Sequence, residues 1–413
     1  MIIGMTDRVR AVRRGWVVRD GVPGPDVDEF AEPERVVEAL AAARDGTLLA
    51  VQHPHRTPAA LAAGLGLLDA LPGARADLAR LCRTAYRPVS DVVAPYRVDG
   101  PDGTAHGLLC LVDPAAVGHT EEVYPDVVAE RAAVLAGLGC VTSAALLVPV
   151  PADAAGRREP ADAVGRPVAG DAVGRRVVGD AAGWPGRAVV EVEPSELTRL
   201  VAEVDEEPAV SVVDPGGRRH ELWLVGPGDR QDALLAAAGA HPLMVADGNH
   251  RVAAAAAAGL TGLLALVAAG PDLRVGPIHR ALVGTGLTLD ALAAAWRGRG
   301  LRVDAVDGSA RPSPGVVVAV SGARALRVAL PSTGVDHASV ESDLLAALGL
   351  DPEGPHVRPV TGGAPPAADA LLLIAPVPVA DVLSVHAAGG RMPRKSTYFT
   401  PKPRSGLLLA EPG

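Results

Sequence analysis

An apolar run, Leu243-Met244-Val245-Ala246, is followed by Asp247-Gly248-Asn249-His250-Arg251 and then by an alanine-rich stretch from Val252. The order reads as strand, turn and helix. Gly248 permits a tight turn and close backbone approach. The helix then offers unpaired N–H groups and the positive end of its dipole. His250 and Arg251 add donors or cations at that end, where the dipole disfavours positive charge. A bound anion removes the conflict, and phosphate is the common case. Asn249 supplies a further hydrogen-bonding side chain. Asp247 can orient Arg251, hold magnesium or act as a base, and the pattern does not separate these roles. The structural alternative is an Asp cap with Asp247 and Arg251 paired at i,i+4.

A second cluster lies near the C-terminus. Between Asp381 and Glu411 there is no acidic residue, yet Arg391, Arg394, Lys395, Lys402 and Arg404 are present. Within it, Lys395-Ser396-Thr397-Tyr398-Phe399 uses one of the chain's 2 Phe residues. A basic, hydroxyl-rich patch containing an aromatic pair suits a small anionic ligand better than a solvated tail does. Ser396 and Thr397 read as phosphate contacts rather than covalent nucleophiles, because no His–Asp pair adjoins them. His53-Pro54-His55 has the look of a zinc pair, but without a nearby Cys or third His it reads as a loop. No metal site is expected from ligand spacing.

The elements that must position these residues are built from small aliphatics. Of 413 residues 48% are hydrophobic but only 2% aromatic, so the core must bury many Ala, Val and Leu side chains. The formal net charge of -9 disfavours nucleic acid and anionic membrane as partners. Cys82, Cys110 and Cys140 are odd in number and widely spaced, arguing against disulfides and for a reducing, cytoplasmic setting. Val252 to Gly270 carries no charge, but Gly259, Thr261 and Gly262 divide it into a helix and a buried strand rather than a membrane span.

Strand-like and helical patterns alternate along the chain, which predicts an α/β fold with mixed sheets and flanking helices. Residues 1–150 form an N-terminal α/β region, with helices over 34–43, 58–71 and 124–138 and strands over 47–52, 106–112 and 144–150. Residues 151–187 carry four Asp-Ala-x-Gly units at a nine-residue spacing and read as a low-complexity, disordered insert. Residues 188–410 form a C-terminal α/β region. Its strands are expected at 188–192, 243–246, 263–267, 315–320, 326–330 and 370–374, with a hairpin pairing 210–213 and 221–225. Its helices are expected at 195–202, 230–238, 289–296, 340–348 and 379–386.

Ala246-Asp247-Gly248-Asn249-His250-Arg251, preceded by His220-Glu221-Leu222-Trp223, is followed by Pro277-Ile278-His279-Arg280 and by the run from Met392 to Lys402. In order and spacing these motifs resemble the family called domain of unknown function 1015, often labelled SpoOJ/ParB/RepB-like. The likeness extends more loosely back to about Gly107, through Glu121, Glu130-Arg131 and Thr142. Asn249 stands where the family usually has His, and His119 is displaced by one place from the usual His-Glu-x-Thr, which marks a divergent branch. The resemblance implies a ParB-like strand–turn–helix similar to turns that cradle phosphates in nucleotide hydrolases and free-serine kinases. It further offers His279 and Arg280 as ligand contacts, with bracing of a turn as the equal alternative for His279.

Three functions are therefore expected to compete. The first is a nucleotide-dependent phosphotransferase or hydrolase, using a nucleotide with Mg. Asp247, Glu121 and His250 would be its catalytic groups, and Gly248, Asn249, Arg251, Lys395, Ser396, Thr397, His279 and Arg280 its ligand contacts. The second is a non-catalytic sensor of a phosphorylated small molecule. The third, carried only by the family label, is a DNA-associated protein. Substrate and oligomeric state are not legible.

Overall fold

The computed structural model describes residues 8–25, 27, 33–43, 46–101, 103–150, 195–269, 273–331, 334–361, 363–365 and 367–413. The nine-residue repeats and the strand expected at 188–192 lie outside the described residues. Alternating apolar runs give a mixed α/β architecture, with sheets of nine, six, three and two strands among the described residues, flanked by helices.

The nine-stranded sheet interleaves early and late strands. Its order runs Val117–Gly118, Leu243–Asp247, Ala145–Pro149, Leu263–Ala269, Gly103–Val112, Ala94–Gly100, Arg219–Leu222, Val210–Val213, with Val9–Arg10 added on Gly103–Val112. Leu243–Asp247 pairs parallel with Val117–Gly118 and antiparallel with Ala145–Pro149. Leu263–Ala269 is buried at every position, as a central strand covered on both faces must be. Gly107 is required on its neighbour, since a Cβ there would meet the Val267 carbonyl oxygen at 2.8 Å.

The six-stranded sheet is antiparallel and takes the order Val303–Asp307, Arg324–Ala329, Val316–Ser321, Ala368–Leu373, His279–Val283, Val357–Val360. It has its own apolar cluster around Trp296, whose indole N–H donates to the Leu344 carbonyl at 3.1 Å. The C-terminal segment returns to the start of the chain. Leu408–Ala410 pairs with Gly15–Val18, and Phe399 is buried. The segment is therefore anchored in the core by its apolar residues, while Arg391 and Lys395 stay exposed.

Several local expectations are corrected. Residues 47–52 form a helix, Leu48–Gln52, rather than a strand: Thr47 caps it by accepting from the Ala50 N–H. The helix expected over 58–71 is two, Pro58–Ala63 and Leu67–Thr84, because Gly64 turns left-handed at φ 63 and ends the first. The second hairpin strand is Arg219–Leu222 and stops before Val225. Residues 340–345 take a π-helical turn. His53-Pro54-His55 runs into a short 3-10 turn, Pro54–Arg56. Among the described residues, no helix is long and apolar enough to cross a membrane.

Candidate functional site

Leu243–Asp247 ends at Gly248, and the helix Asn249–Ala257 begins directly after it. Gly248 takes φ 98, and a Cβ there would meet Arg251 Nε at 3.0 Å. A larger residue is therefore strained in its backbone and would press on the guanidinium. Gly248 occupies the cap position and brings no side chain to the helix start, the end of a helix that favours an anion.

The turn forms one wall of a cleft of about 390 Å³. Glu121, Glu122, Tyr124 and Arg131 come from the chain before and within helix Pro125–Leu138, and Ser143 and Ala144 from the approach to a sheet strand. Asp214, Arg218 and His220 come from the hairpin, and Arg394, Lys395, Thr397, Lys402 and Arg404 from the C-terminal segment. Seven Lys and Arg side chains face four carboxylates there, so the cleft is cationic within an acidic chain.

Arg251 is held on three sides. It donates to Ser143 Oγ at 2.5 Å, to the Ala144 carbonyl at 2.6 Å and to Asp247 Oδ2 at 2.8 Å. Its Nε is buried without a hydrogen-bond partner. Asp247 is also reached by Lys402 Nζ at 3.2 Å. The i,i+4 pair of the structural alternative is thus present, and it lines the cleft. Asp247 sits between two cations, which suits an orienting carboxylate.

Asn249 and His250 brace the neighbouring segment. Asn249 Oδ1 accepts from the Thr120 N–H at 3.2 Å, and its amide nitrogen donates to Thr120 Oγ1 at 3.2 Å, which fixes the loop carrying Glu121. His250 Nε2 accepts from the Tyr124 N–H at 3.1 Å, and the two rings stack at 5.6 Å. That acceptor role places the proton of a neutral His250 on Nδ1. Arg394 covers the Tyr124 ring at 4.0 Å and pairs with Glu353 at 2.6 Å.

Glu121 is the carboxylate with the most unusual surroundings. Thr397 Oγ1 donates to its Oε1 at 3.1 Å, and the Lys395 N–H also donates to it. Burial pushes the Glu121 carboxyl above its usual range, against the opposing pull of Thr397 and Lys395. The folded protein then holds this proton to higher pH than the unfolded chain. Between the ordinary value of 4.5 and the raised folded value the native state binds more protons, so stability falls as pH rises through that window. Urea unfolding across this range should show the decline, and Glu121→Gln should flatten it. An unchanged pH profile in that variant would contradict the assignment.

Three residues grouped with the site from the motifs lie outside the cleft lining. Arg280 is buried and donates to the Lys395 carbonyl at 3.1 Å, the Arg394 carbonyl at 3.2 Å and Glu341 Oε1 at 3.1 Å. His279 Nδ1 accepts from the Ile374 N–H at 3.1 Å. Ser396 is fully buried and donates to the Pro393 carbonyl. The Arg280 and Ser396 contacts hold the loop that presents Lys395 and Thr397, and the His279 contact ties its strand to the end of Ala368–Leu373. Lys395 itself takes φ 52, a left-handed conformation that such gripping sustains.

The motif reading assigned no role to a polar chain at the hairpin end. The Arg404 N–H donates to the Tyr96 hydroxyl at 3.2 Å, Tyr96 meets His220 Nδ1 at 2.6 Å, and His220 Nε2 meets Asp214 Oδ2 at 3.2 Å. With the proton of a neutral imidazole on Nε2, His220 donates to Asp214 and accepts the Tyr96 hydroxyl proton at Nδ1. Burial lowers the Arg404 guanidinium to about 10. His220 belongs to a quoted motif, but nothing local revealed its partners Tyr96 and Asp214. Among the described residues, no three His, Cys, Asp or Glu side chains are grouped to hold a metal ion.

A family model described as a protein of unknown function (DUF1015) matches residues 189–332. This supports the family read from the motifs. The matched stretch contains the Asp247–Arg251 turn and Arg280 and ends before the Lys395 loop; it lends nothing to the partition-protein label. No curated protein matches. Solved structures similar to the chain include a conserved hypothetical protein from Pyrococcus furiosus, at 10% identity and TM-score 0.36, covering 72% of this chain and 93% of that one. A free serine kinase in complex with AMP aligns at 11% identity and TM-score 0.36, covering 72% and 92%. SbnI with C-terminal truncation from Staphylococcus aureus aligns at 12% and 0.39, covering 73% and 87%. With TM-scores this low, none of them bears on function.

Proposed function

We propose that this protein binds a phosphate-bearing small molecule, a nucleotide by class, with a phosphate seated on the first amides of the helix Asn249–Ala257. The observation that carries this reading is an uncapped helix start at a left-handed glycine, opening into a cationic cleft of about 390 Å³. That volume suits a nucleotide-sized ligand. Arg251, Lys395 and Lys402 supply charge around the phosphate, and Asp247 keeps Arg251 and Lys402 aimed. Glu121 is the candidate general base for phosphoryl transfer or hydrolysis, since its raised carboxyl and its hydroxyl partner fit that role. Asp247 is the carboxylate that a nucleotide-bound magnesium ion would meet.

A second reading, a sensor that binds without turnover, is favoured by the bracing contacts of Asn249 and His250, which leave Glu121 as the main reactive carboxylate. The DNA-associated reading has the chain's negative charge against it.

Thermal unfolding with AMP, ATP or phosphoserine, each with magnesium, tests the binding. A ligand at one hundred times its Kd should stabilise the fold by about 2.7 kcal/mol. Lys402→Met should reduce that shift. No shift with any of the three would remove the proposal, and phosphate release from ATP would separate enzyme from sensor.

A further inference from the structure

Thr397 Oγ1 lies 3.1 Å from Glu121 Oε1, and both side chains line the cleft with Arg251, Lys395 and Lys402. The two residues are 276 positions apart, and the loop that carries Thr397 is held from behind by Arg280. The hydroxyl donates to the carboxylate, so an oxygen lone pair is free for attack. Nucleophile and base stand within hydrogen-bond reach, which is the arrangement that activates a hydroxyl. The neighbouring Ser396 is an internal contrast: its hydroxyl donates to the Pro393 carbonyl and it is fully buried.

Resting on the nucleotide reading of the same cleft, we propose that Thr397 is a phosphoacceptor, taking the terminal phosphoryl group of a bound nucleoside triphosphate with Glu121 as base. The Thr397 O–H bond breaks and its proton passes to Glu121 Oε1. A bond forms between Thr397 Oγ1 and the terminal phosphorus, and the bond from that phosphorus to the bridging oxygen breaks. Nucleoside diphosphate leaves with the bonding pair. The phosphothreonine dianion then sits among Lys395, Lys402 and Arg251, where charge-assisted hydrogen bonds stabilise it.

The experiment incubates the full chain with ATP and magnesium and maps phosphate by peptide mass spectrometry, with thermal shift recorded on the same samples. The expected result is phosphate on Thr397 and none on Ser396. Thr397→Ser should keep the modification and Thr397→Val should lose it. Glu121→Gln should slow it roughly 100-fold or more while ATP still raises the unfolding midpoint. An ATP-dependent shift with Thr397 unmodified overturns the phosphoacceptor role and leaves the binding reading standing. Undiminished labelling of Thr397→Val overturns it as well. Absence of any ATP-dependent shift overturns the phosphoacceptor role, and absence of a shift with AMP and phosphoserine as well overturns the binding reading.

Discussion

Arg280→Ala should destabilise the fold by about 3 kcal/mol and weaken nucleotide binding at least tenfold, although Arg280 does not line the cleft. Removing one partner of a buried ion pair costs about 3–5 kcal/mol, because the other charge is stranded. Arg280 is only 2% exposed, whereas the Glu341 side chain is 26% exposed and can recover some hydration, which places the cost at the lower end. The Arg394 and Lys395 carbonyls lose the donor that holds them. Lys395 then has less to keep it in a left-handed conformation, and the loop bearing Thr397 loosens. Urea unfolding and ATP titration read the two effects. Arg280→Lys should recover part of the stability and little of the affinity, since an ammonium cannot span two carbonyls and a carboxylate as the guanidinium fork does. Wild-type affinity in a destabilised Arg280→Ala protein would show that the loop does not depend on this grip.

Arg251→Ala should abolish the ligand-dependent thermal shift and cost about 2–3 kcal/mol in stability without ligand. Its guanidinium joins the strand approach at Ser143 and Ala144 to the turn at Asp247, so the change leaves three oxygens without their donor. Asp247 keeps Lys402, and its side chain is 33% exposed, which limits the loss. Arg251→Lys should restore charge without the three-way contact and recover binding only in part. A full thermal shift in Arg251→Ala would show that the phosphate does not rest at this turn.

The turn was legible because everything that makes it is local: an apolar strand, a glycine where φ is 98, and cations at a helix start. The C-terminal segment was legible as packed rather than solvated, because Phe399 and the apolar 407–409 run marked it. What could not be read was orientation. Pro-Ile-His-Arg signals a strand start, yet nothing in it says that Arg280 grips the Lys395 carbonyl from behind instead of facing a ligand. Ser396 and Thr397 are adjacent and chemically alike, and backbone direction sends one into the core and the other to Glu121. The Tyr96–His220–Asp214 chain joins two paired strands and a hairpin turn, so its members become neighbours only when the register is known. Leu48–Gln52 misled because five apolar-rich residues fit either period, and the Thr47 cap was the deciding signal.

The most direct test is a crystal structure of the full chain soaked with AMP. A phosphate within hydrogen-bond distance of the Asn249 and His250 amides, with Lys402 or Lys395 on its remaining oxygens, is the predicted result. AMP bound elsewhere, with the Gly248 turn empty, would contradict the central claim that this turn is the phosphate seat.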